Sequence, residues 1–182
     1  SSTESDDSHM EKVAATVELL APPIEYTPTF EEIVCPFVPP WSQTIICGTL
    51  TVPEVRSNPD ASSISIFVMI LKSQSTPLTD PVFVLPGGPG SAGSQSRSLF
   101  YGLPAHRNRD IVMLDPRGTG HSFPSLDCFE NNAAGMSYED AAEATQACHE
   151  RLVAEGRDLT GYVTAEQVQD IADLAKVLGF GK

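Results

Sequence analysis

Two short apolar runs end in dense glycine, and that pairing restricts the fold more than anything else in the chain. Pro81-Val82-Phe83-Val84-Leu85 breaks into Pro86-Gly87-Gly88-Pro89-Gly90-Ser91-Ala92-Gly93. Arg109-Asp110-Ile111-Val112-Met113-Leu114-Asp115 breaks into Pro116-Arg117-Gly118-Thr119-Gly120-His121-Ser122. Uninterrupted apolar runs of this length suit strands buried on both faces of a parallel sheet. Glycine where such strands end implies tight turns with positive φ and bare backbone N–H groups. These turns lie at the carboxyl edge, where open α/β sheets place their ligands.

The two glycine stretches, in this order and at this separation, resemble the α/β-hydrolase family of proline iminopeptidases and tripeptidyl aminopeptidases. The resemblance rests on Pro86-Gly87-Gly88-Pro89-Gly90 and on Asp115-Pro116-Arg117-Gly118-Thr119-Gly120-His121-Ser122, and extends over about residues 35–182. Proline iminopeptidases usually carry His where this chain has Pro86, and the tripeptidyl-aminopeptidase branch tolerates the change. The resemblance implies an α/β-hydrolase fold, here the amino-terminal half of a doubly wound, mainly parallel sheet. It also implies an acyl-enzyme mechanism that removes residues from peptide N-termini.

The implied chemistry assigns a role to the first turn. Acyl transfer develops negative charge on a carbonyl oxygen, and rigid backbone N–H groups stabilise it. One such donor in this fold comes from the loop after the third strand. Pro89 has no N–H. Gly88 is the matching position and Gly87 the second choice, with Gly87, Gly88, Pro89 and Gly90 together forming the substrate-facing loop. The nucleophile elbow Gly-x-Ser-x-Gly should follow within about ten residues of Gly179. It is absent from the sequence: Ser91 has Pro89 where the first glycine belongs, and Ser122 has Pro124 where the second belongs. The serine, acid and histidine of a triad are thus expected downstream, and this chain alone is expected to be inactive. His9, His106, His121 and His149 receive no catalytic role, and neither does Arg117, which is read as pairing with Asp115 to fix the second turn.

Composition narrows the setting. With 182 residues and 41% apolar content the chain can bury one core. Eleven basic residues against 24 acidic ones leave a net charge of −13, which repels nucleic acid and anionic membranes. No apolar run is long enough to span a membrane. Cys35, Cys47, Cys128 and Cys148 form no Cys-x-x-Cys pair and have no histidines at ligand spacing, so no metal is expected, and no cofactor. Four cysteines allow three pairings. Pairing 35–47 with 128–148 closes two short loops, and secreted members of the resembled family often carry cysteines in such places. That reading places the protein outside the cytoplasm, secreted or at the cell envelope; four reduced, buried thiols in a cytosolic protein is the alternative.

Along the chain, residues 1–29 read as an acidic, mobile leader or linker, and 30–182 as the amino-terminal part of the hydrolase domain. Phe30 to Trp41 is a proline-punctuated entry, and Gly48 to Val52 a first strand. Ser63 to Leu71 alternates and then turns wholly apolar, a strand half exposed at one end. Gln95 to Leu103 is a candidate short helix, and His106 a surface residue. Ser137 opens a capping box with Asp140 ahead of a helix to Ala154 and a stop at Gly156. Thr164 opens a second box with Gln167. Val168, Ile171, Ala172, Ala175 and Leu178 form the apolar stripe of the helix that follows.

Three functional classes fit these features: a serine aminopeptidase, an esterase or lipase on the same fold, and a non-catalytic subunit completed by another polypeptide. The expected partners are a peptide substrate and the downstream part of the protein, or a partner chain, carrying the triad.

Overall fold

A computed structural model describes residues 25–75, 80–88, 90–131 and 137–180. Five strands form one sheet: β1 (Thr29–Ile33), β2 (Ile45–Pro53), β3 (Ser63–Leu71), β4 (Val82–Val84) and β5 (Ile111–Leu114), in the order β1-β2-β3-β5-β4. Two helices follow, α1 (Tyr138–Ala154) and α2 (Thr164–Val177). The first three pairings are antiparallel, and the expected parallel pairing is that of β4 with β5, where Val84 faces Met113. The sheet is therefore mixed.

Strand β3 shows why its sequence changes character midway. Ile64, Ile66, Val68 and Ile70 face one side, where Leu174 of α2 covers them. Phe67, Met69 and Leu71 face the other, beneath Phe100, Tyr101 and Ala105. Side chains alternate across a strand, so a strand covered on both faces reads as an unbroken apolar run. The covering segment is a pair of 3-10 turns, Gly93–Phe100 and Pro104–Arg107, in place of the expected helix over 95–103. His106 packs under it, buried, with its ring between the carbonyls of Tyr101 (3.2 Å) and Lys72 (2.8 Å), and is no surface residue.

Two further departures lie at the sheet's flanks. Thr29–Ile33, inside the proline-punctuated entry and leader boundary, is a strand paired with β2. Its residues are largely exposed, so it lacks the apolar signature of a core strand. Tyr26 and Pro28 also belong to the folded body, while residues 1–24 lie outside the described residues. Among the described residues β4 is the last strand on its side. Its side chains are half-buried and Leu85 is 65% exposed, in contrast to the doubly buried strand expected.

The disulfides pair as the local reading has it, Cys35–Cys47 and Cys128–Cys148. On the chain-entropy account each loop closure stabilises by about 3 kcal/mol. The Ser137–Asp140 capping box forms with both reciprocal bonds, and Gly156 sits at φ 80° just past α1. The box at Thr164 does not form: the N-cap is Val163, without a side-chain bond.

Helix α2 is also rotated from its expected face. Asp170 and Leu174 are its buried residues, and Val168 is 54% exposed. The cause is a buried ionic network. Glu166, Asp170 and Asp173 fall at i, i+4 and i+7, which puts three carboxylates on one side of the helix. Arg56 bonds all three, through Nη1 to Glu166 (2.5 Å) and through Nη2 to Asp170 (2.8 Å) and Asp173 (2.7 Å). Arg117 grips Asp170 with two bonds, Nε to Oδ2 (2.9 Å) and Nη2 to Oδ1 (2.8 Å). Its Nη1 reaches the carbonyls of Glu54 (2.6 Å) and Gly161 (2.5 Å). The expected Asp115–Arg117 pair is absent, because Arg117 spends its donors on α2 and the end of β2. Burial opposes the Arg56 charge, but the bonds it donates to Tyr26, Asp170 and Asp173 outweigh it and hold the guanidinium above its ordinary pKa. Burial, then the bond to Glu54 (2.7 Å), pushes the Tyr162 hydroxyl well above its usual range.

Two outcomes follow from this network. Replacing Asp170 by Ala removes both short bonds of buried Arg117 and leaves it only Glu166, 3.7 Å away, as a carboxylate partner; urea denaturation should show a loss of about 3 kcal/mol, and a loss under about 1 kcal/mol would contradict a structural role for the pair. The second concerns alkali. Below the ordinary tyrosine pKa of about 10 both states hold the phenol proton. Above it the unfolded chain releases the proton while folded Tyr162 keeps it, so stability falls as pH rises from about 10 toward the folded value. Thermal midpoints measured from pH 8 to 11 should show that decline, and Tyr162→Phe should flatten it.

Candidate active site

The two glycine turns meet at the carboxyl ends of the parallel pair β4 and β5. Gly88 and Gly90 take φ of 83° and 81°, and Gly118 and Gly120 take 81° and 55°, conformations that a Cβ disfavours. The Ser91 N–H donates to the Gly88 carbonyl (3.3 Å) and closes the first turn. A Cβ on Gly88 would lie 3.3 Å from the Ser91 hydroxyl, whereas one on Gly87 would meet open space. Pro89 lies outside the described residues. Gly87, Gly88 and Gly90 are exposed, on one loop past the end of β4.

A cleft of about 490 Å³ opens beside that loop, between Gly88, Ser91, Pro116, Thr119, Tyr162 and Gln167. It brings the first turn, the second turn and the start of α2 to one place. A smaller apolar cavity of about 130 Å³ adjoins it, bordered by Leu85, Leu114, Val168 and Ile171. The outward side of Val168 thus faces a hollow beside the sheet edge. Another hollow, about 670 Å³, lies against the Cys35–Cys47 loop, remote from both glycine turns.

The second turn is held from within. Asp115 is fully buried at the end of β5. Its Oδ1 accepts the Ser94 N–H (2.7 Å), and its Oδ2 accepts the Ser94 hydroxyl (2.8 Å) and the His121 N–H (2.9 Å). Ser122 donates its hydroxyl to the Asp115 carbonyl (2.6 Å) and accepts the Phe67 N–H (2.9 Å). With both capacities used and its side chain buried, Ser122 cannot present a nucleophile. His121 is exposed and rests its ring edge on Phe67, centroids 5.1 Å apart. Among the described residues no serine hydroxyl is hydrogen bonded to a histidine ring.

One group of three potential metal ligands converges among the described residues: Cys128, Glu130 and Cys148. Both sulfurs are spent on the disulfide, and Arg151 holds Glu130 through Nε (2.7 Å). Sequence reasoning missed Arg56 and Ser94, and it gave Asp115 the right turn to hold but the wrong partner. For Arg56 the signal was present in the acidic spacing 166, 170, 173, which asks for a cation. For Ser94 nothing local distinguishes it from the neighbouring serines.

Comparison with known proteins agrees with this geometry. Residues 80–179, which hold both turns and both helices, match the family described as alpha/beta hydrolase fold. Serine protease Hip1 of Mycobacterium tuberculosis (strain ATCC 25618 / H37Rv) is 30% identical over 112 residues, 60% of this chain and 21% of that protein. Serine protease Hip1 of Mycobacterium bovis matches to the same extent. Putative hydrolase YuaR of Escherichia coli (strain K12) is 31% identical over 100 residues, 50% of this chain and 20% of that protein. The chain spans about a fifth of the length of the curated relatives it matches.

Proposed function

The chain belongs to the α/β-hydrolase fold family, and from that premise we propose that the whole protein is a serine hydrolase that cleaves residues from peptide N-termini through an acyl-enzyme. The observation that carries this reading is the first glycine turn: Gly88 at φ 83°, exposed past the end of β4 and lining a cleft. Such a loop supplies a fixed backbone donor to the oxygen of a tetrahedral intermediate. Gly88 is the donor, Gly87 the second choice, and Gly90 belongs to the same substrate-facing loop. The similarity to a serine protease supports peptide over other acyl substrates.

The serine, histidine and acid come from the remainder of the protein. In support, Ser122 and Asp115 are committed to structural bonds, and Ser91 lies in the loop itself. The two disulfides support an extracytoplasmic site of action, since thiols stay reduced in the cytosol.

Two experiments test the proposal. The full-length protein should be labelled stoichiometrically by a fluorophosphonate probe and should release nitroaniline from tripeptidyl nitroanilides with a free amino terminus. Acetylated versions should be poor substrates. Hydrolysis confined to acyl esters would replace the peptidase reading with an esterase, and absence of labelling would remove serine chemistry altogether. Second, Gly88→Val should lower turnover by about 10²–10³, the cost of one lost oxyanion donor. Its branched side chain is unsuited to a positive φ. Turnover within a few-fold of wild type would take Gly88 out of the mechanism.

A further inference from the structure

The buried carboxylate between the two turns has a use beyond holding its own strand end. We propose that Asp115 is a positioning residue that fixes the oxyanion loop, setting where the Gly88 N–H stands. The inference rests on the reading of that loop given under Proposed function.

The loop is a bridge with both ends fixed to β5. Its entry is set by the pairing of Val84 with Met113. Its exit is set two residues further along the same strand, where Asp115 receives both the N–H and the hydroxyl of Ser94. The bridge lies flat on its support. A Cβ on Gly93 would stand 2.4 Å from the Leu114 carbonyl oxygen, and one on Gly120 would stand 2.3 Å from Asp115 Oδ2 and 2.6 Å from the Ala92 Cβ. No methyl group fits between the first turn, the strand end and the second turn.

The chemistry of the clamp explains why the residue is an aspartate. Its three partners, Ser94 N–H, Ser94 O–H and His121 N–H, are all donors. An ionised carboxylate accepts on both oxygens and donates nothing, whereas an asparagine places an NH2 group against one or two donors. Arg117, two residues away, does not touch it, being bound to Asp170. The carboxylate is thus free to join the two turns. With the clamp broken, the loop's exit is released while β4 still holds its entry. The Gly88 N–H then moves relative to an oxyanion that must be met at about 3 Å.

The test uses the full-length protein with a tripeptidyl nitroanilide and the fluorophosphonate probe. Asp115→Asn should lower kcat by about 100-fold, the scale of a 1 Å misplacement, with KM within about twofold. Ser94→Ala, which removes one bond of the clamp and folds under milder demands, should lower kcat by about tenfold. Ser122→Ala is the control: it loses the bonds to the Asp115 carbonyl and to Phe67, none of them on the loop. It should lower the thermal midpoint and keep kcat within about twofold. The proposal is overturned if folded Asp115→Asn and Ser94→Ala keep wild-type kcat, or if all three variants lose kcat in step with their thermal midpoints. If Asp115→Asn does not fold, Ser94→Ala alone decides. A wild-type protein inert to the probe and to every peptide would sink the hydrolase reading and this proposal with it; an active wild type with silent clamp variants would sink the clamp alone.

Discussion

The two-point grip of Arg117 on Asp170 is the contact on which the rest of the arrangement depends. It joins three parts of the chain that are far apart in sequence: the end of β2 through Glu54, the turn before α2 through Gly161, and α2 itself. A planar guanidinium is suited to this, with five donors in a fixed fork. Removing two charges from water carries a cost of several kcal/mol per ion before any return. What the pair supplies is placement. Gly161 lies so close to the Glu54 carbonyl that a Cβ would stand 2.1 Å from it. Arg56 then adds the remaining carboxylates of the same helical face, and Tyr26 closes the cluster with bonds to Arg56 and Asp173. Helix α2 is therefore located by charge along one side and by Leu174 on the sheet.

That placement matters because α2 forms one wall of the cleft beside Gly88. The other walls are the two turns, and these rest on the ends of β4 and β5. Loops carried on rigid strand ends can hold a donor at a fixed point while leaving room for a substrate. The aspartate at the end of β5 and the arginine two residues later divide this task. The first holds the turns to each other, and the second holds the sheet to the helix.

Much of this was legible before any coordinates. β3 and β5 announce themselves as apolar runs, both turns by their glycines, α1 by its capping box, and the disulfides by short loop closure taken together with the family resemblance. What was not legible has physical reasons. β1 is largely exposed and held by backbone pairing to β2, so its sequence carries no burial pattern. Val82–Val84 reads as apolar whether one face or two are covered. The helix stripe was assigned from apolar residues alone, but Asp170 is one of the most deeply buried side chains of α2. Periodicity of hydrophobic residues cannot see a face made of paired charges. Asp115 and Arg117 were read as partners because they are neighbours in sequence, yet each finds a better-matched partner at longer range: three donors for the carboxylate, a carboxylate and two carbonyls for the guanidinium.

The Cys35–Cys47 bridge closes a loop that carries Val38 and Trp41 in full contact with solvent, with Trp41 99% exposed. Exposed tips of this kind are where proteases cut. β1 precedes Cys35, and Cys47 lies within β2, opposite Ile33. A single cut between the two cysteines therefore leaves β1 covalently tied to the strand it pairs with, and its five-residue register remains an intramolecular affair. The nicked protein would travel as one species until a reductant was added, and only then separate into two pieces. Structural continuity of the first strand is thus independent of chain continuity through the loop that follows it.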